Sequence, residues 1–283
     1  MSRELPSFDL VVATVGRSEE LERLLGSLEA QQYPHLTVVV VDQNEDERLT
    51  PVLAGRALEV RHIHTARGLA RARNAGLELV EGDVVAFPDD DCTYPAGLLA
   101  EVARRLVADE TLGGISGRVE DESGASSVAW KRDAADLDRE NVWNRVNSAA
   151  LFLRRSVVER VGTFDERLGV GSDEPWSSSE EIDYVVRAIG AGARIAYDPS
   201  LVVRHRVVPD DAAIGYRDGA SVGYILRKHG YSLRAVARMM VRPIGGALVS
   251  LVRLDFARSR YYAASLRGRL RGYRATSSSN NTA

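Results

Sequence analysis

Thr37-Val38-Val39-Val40-Val41 is the stretch that most narrows the fold. Consecutive β-branched residues leave no polar face, so the segment reads as a strand buried on both sides, as an inner parallel strand is when helices cover it. It delivers Asp42 to its carboxyl end. A second run, Val84-Val85-Ala86-Phe87, halts at Pro88 and is followed by Asp89-Asp90-Asp91-Cys92, which sets three carboxylates at another strand end. Like charges held together are unfavourable unless something cationic lies among them, and a divalent ion carrying a phosphorylated ligand is the simplest candidate. The plainer reading is an acidic loop capping the helix that begins at Pro95.

Around these two runs, strand and helix patterns alternate. Strands are predicted over residues 8–14, 37–41, 58–63, 84–87, 113–119 and 147–153. Helices are predicted over 18–32, 68–80, 95–108, 156–161 and 180–190. Two last short strands, 193–197 and 201–205, are expected on either side of Asp198-Pro199. This rhythm predicts an α/β protein with a Rossmann-like, doubly wound, mixed and mainly parallel sheet flanked by helices, in which ligands bind beyond the carboxyl ends of the strands. Thr14, Asp42 and Asp89 to Asp91 would then share one rim. Residues 120–146 are polar and irregular, and the glycine- and serine-rich stretch 169–179 is expected to be mobile until something orders it.

The 283 residues suffice for one large α/β domain with a helical appendage. The net charge of −3 conceals an asymmetry, because Arg204 to Arg274 holds 15 Lys and Arg against 4 Asp and Glu. An acidic body over residues 1–208, a basic helical extension over 209–275 and a disordered polar tail over 276–283 are the expected organisation. A single cysteine, Cys92, excludes an internal disulfide framework and a thiolate zinc cluster. Met1 to Pro6 lacks a basic segment followed by an apolar core, and the apolar stretch 244–252 falls short of the roughly 20 residues a spanning helix needs. The expectation is a cytoplasmic protein.

Several motifs, in order from about Phe8 to His205, together resemble family 2 glycosyltransferases. Ala13-Thr14-Val15-Gly16-Arg17 is similar to the family's nucleotide-binding start, and Val40-Val41-Asp42 to the strand whose aspartate receives the donor base. Arg67-Gly68-Leu69-Ala70-Arg71-Ala72-Arg73-Asn74-Ala75-Gly76 resembles the loop and helix before the metal site, and Phe87-Pro88-Asp89-Asp90-Asp91 the Asp-x-Asp element. Val161-Gly162-Thr163-Phe164-Asp165-Glu166 resembles the turn before the acceptor region, and Glu180-Glu181-Ile182-Asp183 the acidic acceptor-site motif.

The resemblance implies an A-type nucleotide-sugar fold and an inverting, metal-dependent, hexosyltransferase-like reaction from a nucleotide diphosphate donor, UDP favoured, to a hydroxyl acceptor. Asp42 suits an imide N–H of uracil, being acceptor-only. Thr14, Arg17 and Arg67 fall on the donor side, Arg67 as a phosphate or base contact, with Arg71 and Arg73 behind it. Asp89 is implied at the ribose or metal, Asp90 at the sugar, and Asp91 at the metal, an Mg²⁺ or Mn²⁺ suited to oxygen ligands. His205 is a further ligand candidate. Glu181 stands where the family usually has Asp and is the expected general base, with Glu180 and Asp183 still in contention. Acids in a first helical turn also favour the helix dipole without any catalysis. Trp176 is the acceptor-stacking candidate.

Two rivals come from other classes. A sugar nucleotidyltransferase shares the fold class, but its glycine-rich opening loop is absent after Val12. A non-catalytic nucleotide-sugar-binding or scaffolding protein is compatible with glutamate at position 181. In the basic end, Val236, Met239, Met240, Val241, Ile244 and Leu248 interleave with Arg234, Arg238 and Arg242, a composition suited to an amphipathic helix on an anionic membrane or to one packed on the domain. No nucleic-acid module accompanies the charge.

Overall fold

The computed structural model describes residues 5–207, 209 and 211–275, so the expected polar tail lies outside the described residues. In order the elements are strand β1 (Phe8–Thr14), helix α1 (Ser18–Glu29), β2 (Leu36–Asp42), the single turn α2 (Thr50–Leu53), β3 (Glu59–His64), α3 (Leu69–Leu77), β4 (Val84–Ala86), β5 (Cys92–Thr93) and α4 (Leu98–Ala108). There follow β6 (Leu112–Glu120), β7 (Ala135–Asp136), β8 (Leu151–Arg154), α5 (Arg155–Val161), α6 (Glu180–Gly190), β9 (Arg194–His205), α7 (Ala212–Lys228), α8 (Leu233–Val252) and α9 (Phe256–Tyr273).

The strands form one mixed sheet in the order β3-β2-β1-β4-β8-β6-β9-β5, with β7 paired to β9. β3, β2, β1 and β4 are mutually parallel, β8 runs against both β4 and β6, and β6 is parallel to β9. As the β-branched run implied, Val38 to Val41 are wholly buried. Helix α1 covers one face with Leu21, Leu24, Leu25 and Leu28, a spacing that makes a single apolar stripe. Helix α3 lies against β1 and β2 so tightly that a Cβ on Gly76 would stand 2.3 Å from Val11 Cγ1.

The C-terminal part of the sheet departs from expectation. Residues 194–205 form one strand rather than two, because Asp198-Pro199 sits where the register with β6 slips: Ser116 pairs with Tyr197 but Arg118 with Val202. Proline is tolerated at such an irregularity because no ladder donor is needed there. The close fit at Gly117, where a Cβ would meet the Leu201 carbonyl oxygen at 2.4 Å, marks the same spot. Residues 148–150, expected as strand, are a 3₁₀ turn, and the strand begins only at Leu151. The short β5 has no counterpart in the sequence reading.

The residues divide into two compact units. One runs to Asp165 and includes Glu181–Val207; the other comprises Glu166–Glu180 and the chain beyond Val207. Within the second unit, α7 and α9 pack backbone to backbone: a Cβ on Gly219 would lie 2.1 Å from the Ser265 carbonyl oxygen, and one on Gly268 2.0 Å from that of Tyr216. Gly215, Gly219 and Gly223 recur every fourth residue and so line one face of α7. The segment before α6 is packed. Trp176 stacks on Tyr224 at 4.9 Å with planes 2° apart, Arg167 pairs with Glu174 at 3.1 Å, and the Ser178 hydroxyl lies 2.9 Å from that of Ser221.

Helix α8 also corrects an expectation. It is 20 residues long, an 18-residue window of it has a mean hydropathy of 1.4, and by length and composition alone it is able to cross a membrane. The sequence places an amphipathic helix over 235–252, but the length test for a span took only its uninterrupted apolar stretch, 244–252.

Two helical glycines of the first unit, Gly26 and Gly76, should respond oppositely to alanine. Gly26 in α1 faces open space, whereas Gly76 has no room. Gly26→Ala is expected to raise the unfolding free energy by about 0.5–1 kcal/mol. Gly76→Ala is expected to lower it by about 1–3 kcal/mol through overpacking. Urea denaturation measures both.

Candidate active site

The site is built on the carboxyl ends of β1, β2 and β4. Parallel pairing sets Thr14 directly beside Asp42, and the chain after β4 brings Asp89, Asp90 and Asp91 to the same rim. The positive charge demanded by three adjacent carboxylates comes from the protein itself. Arg17 reaches Asp90 at 2.7 Å and Asp91 at 3.0 Å, Arg206 reaches Asp91 at 2.8 Å, and Arg73 reaches Asp89 at 3.1 Å.

Burial pushes the Asp90 carboxyl upward in pKa, and the Thr14 hydroxyl and Arg17 offset only part of that. Asp91 goes the other way. Burial again works against its charge, but His205, Arg17 and Arg206 outweigh it and hold the carboxyl far below the usual range. Cys92, buried next to these acids, has its thiol pushed well up by burial and by the negative charge of Asp89 and Asp91, so it is an inert core residue.

His205 is placed by β5, whose antiparallel pairing sets it opposite Cys92. Its Nε2 lies 3.1 Å from Asp91 Oδ1 and 3.6 Å from Asp89 Oδ2. Burial lowers its pKa, while the hydrogen bond to Asp91 and the charges of both aspartates more than reverse this, to about 9. Its Nδ1 is 2.8 Å from the Arg206 carbonyl oxygen, which can only accept. A neutral ring therefore keeps its proton on Nδ1 and turns the Nε2 lone pair toward the acids. Two carboxylates and an imidazole so oriented fit a hard or borderline divalent ion such as Mg²⁺ or Mn²⁺.

At the end of β2, Asp42 is fully buried. Its Oδ1 accepts from the Asn44 backbone N–H at 2.8 Å and from Asn44 Nδ2 at 2.7 Å, and its Oδ2 lies 3.1 Å from His62 Nε2. Asn44 Oδ1 in turn accepts from Gly16 N–H at 2.7 Å, which ties the turn after β2 to the turn after β1. Arg67 is exposed just before α3, where Gly68, at φ 135°, donates to Gln43 Oε1 at 2.7 Å. Arg73, a candidate phosphate contact from sequence, is instead 1% exposed, with its guanidinium against the rings of Phe87 and Phe164 and its charge on Asp89. It positions Asp89.

The three acids at the start of α6 differ in access. Glu180 is 4% exposed and Asp183 is wholly buried, whereas Glu181 is half-buried. Asp183 receives Arg187 at 3.0 Å, and Arg187 donates onward to the carbonyls of Val161 and Thr163. Tyr184 donates to the Gly162 carbonyl at 2.9 Å and stacks on Phe164 at 4.2 Å. Asn74 and Phe164 exchange two hydrogen bonds, of 2.7 and 3.1 Å. Trp176, in the second unit, is 5% exposed and its indole N–H makes no hydrogen bond among the described residues. Sequence reasoning missed Arg206 and Asn44. The signals were the Arg204-His205-Arg206 run at a strand end and the Asp42-Gln43-Asn44 turn, where an aspartate caps the residue two further on.

Comparison with known proteins identifies the family. The family model for glycosyl transferase family 2 matches residues 9–162. A pre-mycofactocin glycosyltransferase of Mycobacterium tuberculosis is 31% identical over 210 residues, which are 69% of this chain and 42% of that protein, so the chain matches less than half the length of this relative. The succinoglycan biosynthesis protein ExoM of Rhizobium meliloti is 27% identical over 257 residues, covering 83% of this chain and 80% of that one. Among solved structures, a mannosyltransferase from Pyrobaculum calidifontis in complex with GDP-Man and Mn²⁺ superposes with a TM-score of 0.68 at 18% identity, covering 95% of this chain and 87% of that chain. S. aureus TarS in complex with UDP-GlcNAc gives 0.59 at 17% identity, over 92% and 91% of the two chains. These likenesses, with the motifs assembled on one rim, place the chain in glycosyl transferase family 2.

Proposed function

We propose that the protein is an inverting glycosyltransferase that moves a sugar from a nucleotide diphosphate, UDP by preference, to a hydroxyl acceptor. The observation that carries this reading is that Asp89 and Asp91 both approach the Nε2 of His205 on the rim, at 3.6 and 3.1 Å. Donor complexes of the fold neighbours, one with GDP-Man and Mn²⁺ and one with UDP-GlcNAc, support the donor class.

In this reading Asp42 meets the base through Oδ2, in place of His62, and Thr14, Arg17, Arg67 and Asp90 line the donor. Asp89, Asp91 and His205 would hold Mg²⁺ or Mn²⁺, whose positive charge offsets the charge that gathers on the departing diphosphate. Glu181 takes the proton of the acceptor hydroxyl as its oxygen attacks the anomeric carbon from the face opposite the diphosphate. The bond from that carbon to the phosphate oxygen breaks, and its electron pair leaves with the nucleotide. Glu181 is preferred to its neighbours because Glu180 and Asp183 are buried and Asp183 is committed to Arg187.

The second unit is assigned to an anionic membrane surface. Val241, Ile244, Leu248, Val249, Leu251 and Val252 of α8 are exposed, and Arg234, Arg238, Arg242 and Arg253 are exposed beside them. A helix lying in the interface uses both groups, whereas a spanning one would bury Arg242 near mid-membrane at a cost of about 2.5–3.5 kcal/mol.

Three experiments test these assignments. Asp91→Ala is expected to abolish Mn²⁺-dependent thermal stabilisation by UDP-sugars, and stabilisation equal to the parent's would refute the metal role. Glu181→Gln should retain donor affinity while the turnover number falls about 10²- to 10⁴-fold, and unchanged turnover removes Glu181 as the base. Co-sedimentation with vesicles containing phosphatidylglycerol should be strong at low salt and weak at high salt. It should be lost in Leu248→Asp/Val252→Asp, and equal binding to neutral vesicles would sink the electrostatic part.

A further inference from the structure

His62 and His64 are alternate residues of β3, the edge strand of the sheet, so their rings stand on one face of it, with centroids 4.7 Å apart. Pairing of β3 with β2 sets His64 beside Asp42. Asp42 Oδ2 lies 3.1 Å from His62 Nε2 and 3.8 Å from His64 Nδ1, and one ligand atom from each residue falls within 4.8 Å of the others. Atoms bound tetrahedrally to an ion at about 2.0–2.1 Å are separated by about 3.3 Å, so the two Asp42–histidine spacings lie on either side of what a shared ion imposes.

We infer that in the nucleotide-free protein Asp42, His62 and His64 form a second metal site, specific for a borderline transition-metal dication of the zinc class, and that a donor base engaging Asp42 Oδ2 would displace the ion. Two imidazoles and one carboxylate favour Zn²⁺, Co²⁺ or Ni²⁺ over Mg²⁺, in contrast to the Asp89, Asp91 and His205 constellation. The carboxylate is oriented in advance, since its other oxygen is held by two hydrogen bonds from Asn44, an outer partner of the kind metal ligands carry. Both histidines are exposed, which leaves solvent access for a fourth ligand such as water.

The site is tested on the nucleotide-free full chain, so failure of the sugar-transfer reading leaves the result untouched. Co²⁺ titration followed by visible absorption, and Zn²⁺ competition against it, should report one ion with the intense bands of a tetrahedral-like centre. His62→Ala/His64→Ala is expected to lose that signal, and Asn44→Ala to weaken binding about 10- to 100-fold. Asp91→Asn, with the other site damaged, should keep the signal. A parent protein with no tetrahedral-type Co²⁺ band, or a band that survives in the double histidine variant or disappears in Asp91→Asn, overturns the inference. Circular dichroism checks that each variant is folded.

Discussion

Three consecutive carboxylates at the end of a buried strand are the constraint from which the rest of the rim follows. Their mutual repulsion in a poorly solvated place has to be compensated, and the chain does so with four residues from three separate segments. Arg17 comes from the turn after β1, Arg73 from α3, and His205 and Arg206 from the far end of β9. Asp91 collects most of this charge and stays ionised, whereas Asp90, more deeply buried and beside Asp91, is pushed upward. Adjacent aspartates are thus unlike chemically, and the difference arises from neighbours distant in sequence.

The motifs recognisable in sequence are bound to one another by contacts that are structural in kind. Arg73 sits beneath Phe164 and holds Asp89, Asn74 clamps the backbone of Phe164, Tyr184 stacks on that ring, and Arg187 links Asp183 to the turn at Val161 and Thr163. A displacement of the turn would therefore reach both Asp89 and the first turn of α6. Several motif residues are best understood as positioning groups: Arg73 and Asp183 are buried and committed, and only Glu181 in the acidic motif keeps access.

The first half of the fold was legible because its signals are local. A β-branched run, a single apolar stripe and a proline stop each report on their own neighbourhood, and β1, β2 and α1 fall close to where those signals put them. The pairing of β5 with β9 was not legible, since a two-residue strand has no periodicity and its partner is more than a hundred residues away. Arg206 was hidden for the same reason. Trp176 and its segment looked like a loose loop because composition reports backbone freedom and not the stacking on Tyr224. In α7 and α9 the recurring glycines were visible, but close helix approach is a property of two elements and needs both in place.

The slip in β9 has the most consequence for chemistry. Between Ser116 and Arg118 the β6 strand advances two residues while its partner advances five, from Tyr197 to Val202. The three extra residues are an odd number, and an odd slip exchanges the faces on which side chains stand for the remainder of the strand. A regular ladder would have set Pro199 opposite Arg118, where it could donate nothing, and would have turned His205 to the opposite face from Asp91. Gly117 admits the Leu201 carbonyl at the slip, and Arg118 donates to the Pro199 carbonyl at 2.7 Å, which satisfies the freed acceptor. The irregular stretch that looked like a break between two strands is thus what aims the imidazole at the acids.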